Sequence, residues 1–301
     1  MVGEDRDRTT VSRLRSFESP QTTNWVCAAH HYPCNGQSCC LARAAASDYN
    51  AHMFHPFELN FVNVIGTYNA LWDISGRVVM DPQFGDHDNW LLTFRNGLKG
   101  MLARISAVDR EYTALHRFQT DFPADENPND WSIGCESHAG LIFFAMDSTI
   151  ECFVFSLNAL GFVKSKSDFC DITDPKALRQ ISPQNILGGG SSDRQNPRAG
   201  YQKHFPRVVA HFKANETLLA RLFEYHDVSK HRSAISAGGS AGVLHIRDNP
   251  KFPGNGMSSV VHTVESLAHE FQTFLDAALP IATEEAAAVF GYTVVKRNLG
   301  S

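Results

Sequence analysis

The sequence lacks an unbroken run of apolar residues long enough to cross a membrane. Its most apolar run, residues 141–146, is short and is followed at once by Asp147. A membrane-spanning helix needs about 20 mostly apolar residues, so we expect no transmembrane helix. The chain also begins without the basic-then-apolar order of a secretory signal. We therefore expect a cytoplasmic protein that does not bind a membrane.

Motifs of nucleotide-binding and zinc-protease chemistry are also missing. The two glycine-rich stretches, at residues 188–193 and 238–242, lack the lysine with which a P-loop reaches a phosphate, and we interpret both as loops. The zinc-protease motif H-E-x-x-H does not occur. The net charge of −5 gives no general excess of basic residues for non-specific binding to nucleic acid, although it allows a local basic patch. We predict no cofactor.

Residues 1–52 differ from the rest of the chain. They are rich in serine, threonine, arginine, asparagine and glutamine, and they show no sustained apolar period. Such a composition buries too little apolar surface to order a segment, so we predict a poorly ordered N-terminal arm. Patterned sequence begins just after Met53, which raises the hypothesis that 1–52 is an over-extended start. Residues 53–301 are predicted to form a single helical-bundle domain.

The predicted arm carries a cluster of residues that are able to bind zinc. These are Cys27, His30, His31, Cys34, Cys39 and Cys40. A structural zinc site usually pairs two knuckles that are about a dozen or more residues apart, whereas these residues all lie in one short stretch. We interpret them as incidental residues of a disordered segment and predict no metal site, with zinc binding as the alternative.

Helical periodicity dominates after residue 53. Apolar residues recur at steps of three and four, as they do on one face of an α-helix. The pattern predicts five long helices, at about 54–79, 88–115, 137–160, 201–225 and 258–278. The third is apolar nearly all round, so we expect it at the centre. The predicted fold class is therefore all-α, a helical bundle with long connecting loops.

Glycine and proline mark the predicted helix ends and loops. Gly161 is expected to end the third helix, and Pro280 the last one, since proline lacks the backbone N–H that a helix needs. Residues 164–200 and 236–257 show no long period and are predicted to be connections, the first with a short helix near 175–181. Long connections in compact domains are often functional.

One face of the last predicted helix combines His262, Glu265 and His269. Carboxylates and histidines on one face can hold a two-metal centre inside a bundle. However, His262 lies about 200° around the helix from Val260, which belongs to the core stripe. We therefore predict that this face is solvated and binds no metal.

The segment 224–232 carries six acidic or basic side chains in nine positions. Two histidines beside basic residues can supply a general base and a clamp for a phosphate. Positions 226 and 231 are about 140° apart on a continuous helix, so they share a face only if a helix starts between them. Asp227 or Ser229 is a suitable N-cap for such a start, and we predict a short helical turn over 227–235.

This segment resembles the signature of HEPN-type helical domains, which occur in RNA-cleaving toxins and antiviral systems. In that family an arginine and a polar residue precede three variable residues and a histidine, often followed by a basic residue. The similar stretch here is His226-Asp227-x3-His231-Arg232. The resemblance implies that His231 is the catalytic histidine and Arg232 the trailing basic residue, while His226 replaces the family's arginine. The alternative Arg221-x4-His226 keeps the arginine, but Leu222 then replaces the polar residue.

Two classes of function follow from these observations. In the first, the protein is a HEPN-like RNA-acting or degenerate nuclease domain, with His226, His231 and Arg232 near a phosphate. In the second, it is a non-catalytic binding protein that receives a small molecule or a protein partner in the bundle interior or at residues 164–200. The candidate partners are accordingly RNA, another protein, and a second copy of this chain in a homodimer.

Overall fold

Helices form most of the described part of the chain. The computed structural model describes residues 62–85, 87–120, 127–187, 197–231, 235–240, 243–248, 250–251 and 256–293. The predicted arm at 1–52, its cysteine–histidine cluster and the 188–193 stretch lie outside these residues. The helices are α1 (Val62–Met80), α2 (Trp90–Thr120), α3 (Pro128–Lys164), α4 (Pro175–Leu178), α5 (Pro183–Leu187), α6 (Pro197–His204), α7 (Pro206–Ala214), α8 (Glu216–His231) and α9 (Val260–Val289). The prediction of an all-α bundle is confirmed.

The longest helix, α3, packs against α2, α8 and α9, so the expectation that it lies at the centre is confirmed. It begins well before the predicted start near residue 137 because Asn127 caps it. The Asn127 side chain accepts a hydrogen bond from the backbone N–H of Asn129 at 3.0 Å. Pro128 suits the first helical position, where a backbone N–H would have no partner within the helix.

By length and composition, α3 is also apolar enough to cross a membrane. Its residues Asn129–Lys164 reach a mean hydropathy of 1.6, and 67% of the most apolar window is buried inside the fold. No other helix in the described part of the chain meets this criterion. The sequence shows no unbroken apolar run in α3 because Asp147 and Glu151 interrupt it. A helix that is buried on all sides has the same composition, and the burial of α3 accounts for it.

Gly161 does not end α3, which continues to Lys164. A Cβ atom at this position would lie 2.3 Å from the ring of Phe169, so glycine leaves room for that ring. The chain after α3 also folds back onto the helix. The side chain of Asn158 exchanges two hydrogen bonds with the backbone of Cys170, at 3.0 and 3.1 Å. Gly161 therefore makes room for the close approach of another residue and does not mark the end of the helix.

The predicted helix at 201–225 is divided into α6, α7 and α8. Pro206 starts α7, and the preceding residue, Phe205, provides no side-chain cap. Instead, Glu285 of α9 accepts hydrogen bonds from the backbone N–H groups of Arg207 and Val208, at 2.8 and 3.0 Å. The negative charge is stabilised there because a helix N-terminus has unpaired donors and the positive end of the helix dipole.

The region 236–257 was predicted to be a loop, but it contains strands of a small antiparallel sheet. The strands β1 (Ser236–Ser240), β2 (Val243–Arg247) and β3 (Met257–Ser259) lie in the order β1-β2-β3. β1 and β3 are rich in glycine or serine and show no alternation, whereas β2 alternates buried Leu244 and Ile246 with the polar residues that follow them, a signal that the prediction of a loop overlooked. Glu136 of α3 accepts a hydrogen bond from the backbone N–H of Ile235 at 2.5 Å. Tyr225 of α8 donates one to the carbonyl of Arg247 at 2.7 Å, which ties the sheet to the bundle.

The last helix, α9, passes through Pro280 and ends at Val289, so the predicted break is wrong. Pro280 removes one backbone hydrogen bond. The neighbouring residues Leu279 and Ala282 are completely buried, and this burial stabilises the helix across the proline. The start near residue 258 was predicted correctly, since the hydroxyl of Ser259 caps the helix.

Candidate functional site

The charged segment singled out in the sequence lies at the end of α8, which runs unbroken to His231. No helix begins between the two histidines, so the N-cap predicted there and the separate turn over 227–235 are wrong. Positions 226 and 231 therefore stay about 140° apart around the helix. Arg232 and the side chain of His231 lie outside the described residues, and their catalytic role stays a prediction.

His226 is buried between α8 and α3, where it pairs with Asp147. The distance between His226 Nδ1 and Asp147 Oδ2 is 2.7 Å, and the two residues are 8% and 4% exposed. Because an ionised carboxylate only accepts hydrogen bonds, the Nδ1–H group is the donor. A short charge-assisted bond in buried surroundings fixes the orientation of the imidazole ring.

Aromatic and cationic groups surround this pair. The ring of Phe144 meets the His226 ring edge-on, with centroids 5.1 Å apart. The guanidinium of Arg104, from α2, lies 5.4 Å from the centroid of the same Phe144 ring. Within the described part of the chain, His226 Nε2 and Arg104 Nε are buried without a hydrogen-bond partner. The imidazole is thus held by a carboxylate at one nitrogen and has no polar contact at the other.

Glu151 and Lys230 extend the pair into a cluster of mixed charge. Glu151 is exposed at the surface, but partial desolvation raises its pKa; the charge of Asp147 raises this pKa further, and the charges of His226 and Lys230 oppose the rise. The cluster therefore contains two acids beside two basic side chains. A phosphate bound beside His226 would therefore also meet carboxylates.

A cleft of about 370 Å³ opens beside Asp147, between α3, α5 and α8. Its wall includes α5, which belongs to the 164–200 connection that the sequence singled out as a candidate binding element. The apolar part of the lining consists of Ile150, Pro183, Leu187, Leu219, Ala220 and Phe223. A concave site of this size with mostly apolar walls suits a small organic molecule.

The charged part of the lining is acidic. It comprises Asp147, Glu216 and Glu224, and no described residue of the lining is a lysine or arginine. His226 uses Oδ2 of Asp147, whereas Oδ1 accepts no hydrogen bond from the described part of the chain. This oxygen is not fully buried, so it is accessible to a molecule in the cleft that Asp147 lines.

Lys251 shows how a cation is held at the rim of the cleft. Its Nζ atom lies 3.6 Å from a carboxylate oxygen of Glu224 and 5.3 Å from the ring centroid of Phe223. Phe223 is 38% exposed, which is unusual for a large apolar side chain. Ammonium groups are attracted to aromatic faces within about 6 Å. The rim thus provides both contacts that a cationic ligand would use.

Asp147 is the residue of this site that the sequence reasoning missed. A signal for it exists, because it follows the most apolar run of the chain and lies within the most apolar helix. A charge in a buried helix needs a partner, and charged side chains are rarely buried without one. The partner could not be read from the sequence, since His226 is 79 residues away.

The histidine face of α9 takes no part in this site. His262 and His269 are exposed, as predicted. Glu265 accepts a hydrogen bond from the hydroxyl of Tyr112 at 3.0 Å. In the part of the chain that the structure describes, no group of three or more His, Cys, Asp or Glu side chains is arranged to hold a metal ion.

Residues 238–242 have the spacing G-x-S-x-G of a nucleophile elbow, which the loop interpretation passed over. An elbow requires a strand that leads directly into a helix, so that the serine is held at a strained turn. Here β1 leads into β2, with Ser240 paired to Val243 across the hairpin. The motif therefore lacks the backbone setting that the chemistry needs.

Comparisons with protein-family models, with curated proteins and with solved structures found no match for this chain. A helical bundle by itself is compatible with many functions. The chemistry of the cleft and of the His226–Asp147 pair is therefore the evidence for a function.

Proposed function

We propose that this protein binds a small organic cation with an apolar body in the cleft between α3, α5 and α8. The observation that carries the proposal is the lining, which combines apolar walls with three carboxylates. An ammonium group pairs with Asp147, and the hydrocarbon part packs on side chains such as Ile150 and Leu219. The same carboxylates repel an anion.

Burial makes Asp147 the main anchor for the cation. At 4% exposure its carboxylate is little screened by water or salt. A hydrogen bond to a charged group contributes about 1.5–3 kcal/mol, and each buried methylene about 0.8 kcal/mol. The first contribution favours an alkylamine over an alcohol of the same length, and the second favours it over the ammonium ion alone.

Isothermal titration calorimetry with octylamine and octanol tests this proposal, because the two share one chain and differ in charge. We expect octanol to bind at least about tenfold more weakly, since the lost charge-assisted hydrogen bond is worth about 1.5–3 kcal/mol. Glu284→Gln is a matched control, because Glu284 pairs with Arg207 and does not line the cleft. Equal affinity for the amine and the alcohol would contradict cation binding.

HEPN-like action on RNA is the second candidate, and the hydrogen bond between His226 and Asp147 is the observation that favours it. A histidine that is oriented by a carboxylate is a common arrangement for a general base. The carboxylates of the neighbouring cleft weigh against a phosphate ligand, so we rank this candidate below cation binding.

Incubation of mixed RNA with the purified protein tests the nuclease candidate. If the resemblance holds, the wild type cleaves RNA and a His231→Ala variant does not. No cleavage, or equal cleavage by both proteins, would rule out this function.

A further inference from the structure

The carboxylates of the cleft stand at two ends of one face of α8. Glu216 begins the helix, and Glu224 lies about 12 Å further along the axis at a rise of about 1.5 Å per residue. Leu219 and Ala220 line the cleft between them, at the three- and four-residue steps that place residues on a common face. This face therefore presents an acid, an apolar stretch and a second acid.

Asp147 lies at the Glu224 end of this face. Its partner is His226, which follows Glu224 closely on α8. Ile150, about one turn further along α3, lines the cleft with the apolar residues of α8. The cleft thus has two carboxylates at one end, one carboxylate at the other, and hydrocarbon between them.

We propose that the ligand is a linear dication, an aliphatic diamine or polyamine that carries an ammonium group at each end. One ammonium pairs with Asp147, the other pairs with Glu216, and the methylene chain covers Leu219 and Ile150. This inference rests on the proposed binding of an organic cation and specifies its class. A ligand with a single charge would reach only one of these two carboxylates.

The ion pairs already present limit which carboxylates are left for the ligand. In the described part of the chain no basic side chain pairs with Glu216, whereas Glu224 holds the ammonium of Lys251 at 3.6 Å. That ammonium also lies over the ring of Phe223. A lysine side chain is itself an alkylammonium, so Lys251 shows the contact that one end of the ligand makes.

A single divalent metal ion does not fit this arrangement. Calcium and magnesium need several oxygen ligands within about 2.6 Å of one point. Glu216 and Glu224 are separated by about 12 Å along the helix axis, and the cleft between them is lined by apolar side chains, which bind no metal ion. An extended organic dication is the kind of cation that reaches both ends.

Calorimetric titration of the full chain with three amines tests the inference. Octamethylenediamine and octylamine share a chain length, and tetramethylenediamine is too short to reach both ends. We expect octamethylenediamine to bind about fivefold more tightly than octylamine, because a second, exposed ion pair contributes up to about 1 kcal/mol. Tetramethylenediamine is expected to bind more weakly than octamethylenediamine.

The variant Glu216→Gln locates the second charge. It is expected to weaken the diamine more than octylamine and so to remove the difference between them, while Glu284→Gln preserves the difference. Equal affinities of the wild type for the two amines, or a difference that survives Glu216→Gln, would overturn the dication but leave cation binding intact. If neither octylamine nor the diamines bind, cation binding and the dication are both wrong.

Discussion

Two buried carboxylates, Glu285 and Asp147, lie in regions of opposite character. Glu285 is 7% exposed and caps α7 through two backbone N–H groups, in a region where helices pack closely. Asp147 is 4% exposed, bonds one side chain, and borders an open cleft. Burial alone therefore does not mark a functional carboxylate. The distinguishing feature is whether the protein itself satisfies the oxygens.

The largest effect on stability is expected at Glu285. Glu285→Ala removes two charge-assisted hydrogen bonds and leaves a buried donor, the N–H of Val208, and a part-buried one, the N–H of Arg207, so we expect a loss of about 3 kcal/mol in the free energy of unfolding. Urea denaturation measures this loss. The neighbouring Glu284→Ala, which breaks an exposed ion pair, is expected to cost less than about 1 kcal/mol. Equal losses of unfolding free energy in the two variants would contradict the structural role assigned to Glu285.

A second prediction compares packing in the two regions through two glycines of α3. Gly161→Ala places a Cβ atom 2.3 Å from the buried Phe169 ring, so we expect a destabilisation of about 2 kcal/mol. Gly140 faces Ser229 of α8, where the nearest atom is 3.5 Å away. Gly140→Ala is therefore expected to stabilise the helix by about 0.5–1 kcal/mol. Thermal unfolding of both variants checks the opposite signs, and a shared sign would show that the regions are equally packed.

A smaller effect is expected at Tyr225, which links α8 to the sheet. Tyr225→Phe removes the hydrogen bond to the carbonyl of Arg247 and should cost about 1 kcal/mol near neutral pH. Burial raises the pKa of Tyr225 from 10.0 to about 12. The unfolded chain thus ionises first, so this contribution is complete below pH 10 and is lost as the pH rises towards 12.

Urea denaturation at several pH values measures the stability difference between wild type and Tyr225→Phe. We expect the difference to shrink over this alkaline range. A difference that stays constant up to pH 12 would contradict the assigned cause, which is the cost of ionising a buried phenol.

The parts of the fold that follow from periodicity were predictable from the sequence. The apolar composition of α3 predicted its central position. Its true start was hidden, because capping by Asn127 outweighs the weak pattern before residue 137. Pro280 and Gly161 were wrongly predicted to end their helices, because tertiary packing stabilises each helix beyond these residues. The strands between 236 and 259 were missed because the glycine and proline residues around them indicated a loop, although β2 itself alternates buried and half-buried residues.

The site was predictable only in part. The density of charged groups singled out His226, and the lack of a period singled out residues 164–200, which supply one wall of the cleft. The charge of Asp147 within an apolar run was a signal for a buried acid, but its partner and the cleft were not predictable, because they arise where α3, α5 and α8 meet. Three segments far apart in the sequence must pack before these side chains share a space, and no local pattern encodes that contact.

The most direct test of cation binding compares octylamine affinity in Asp147→Asn and Glu285→Gln by calorimetry. We predict that Asp147→Asn binds octylamine at least about tenfold more weakly than the wild type, because it loses a charge-assisted pair worth about 1.5–3 kcal/mol. Glu285→Gln is predicted to lose stability and to keep the wild-type affinity. Wild-type affinity in Asp147→Asn would contradict the proposal that this carboxylate serves a ligand.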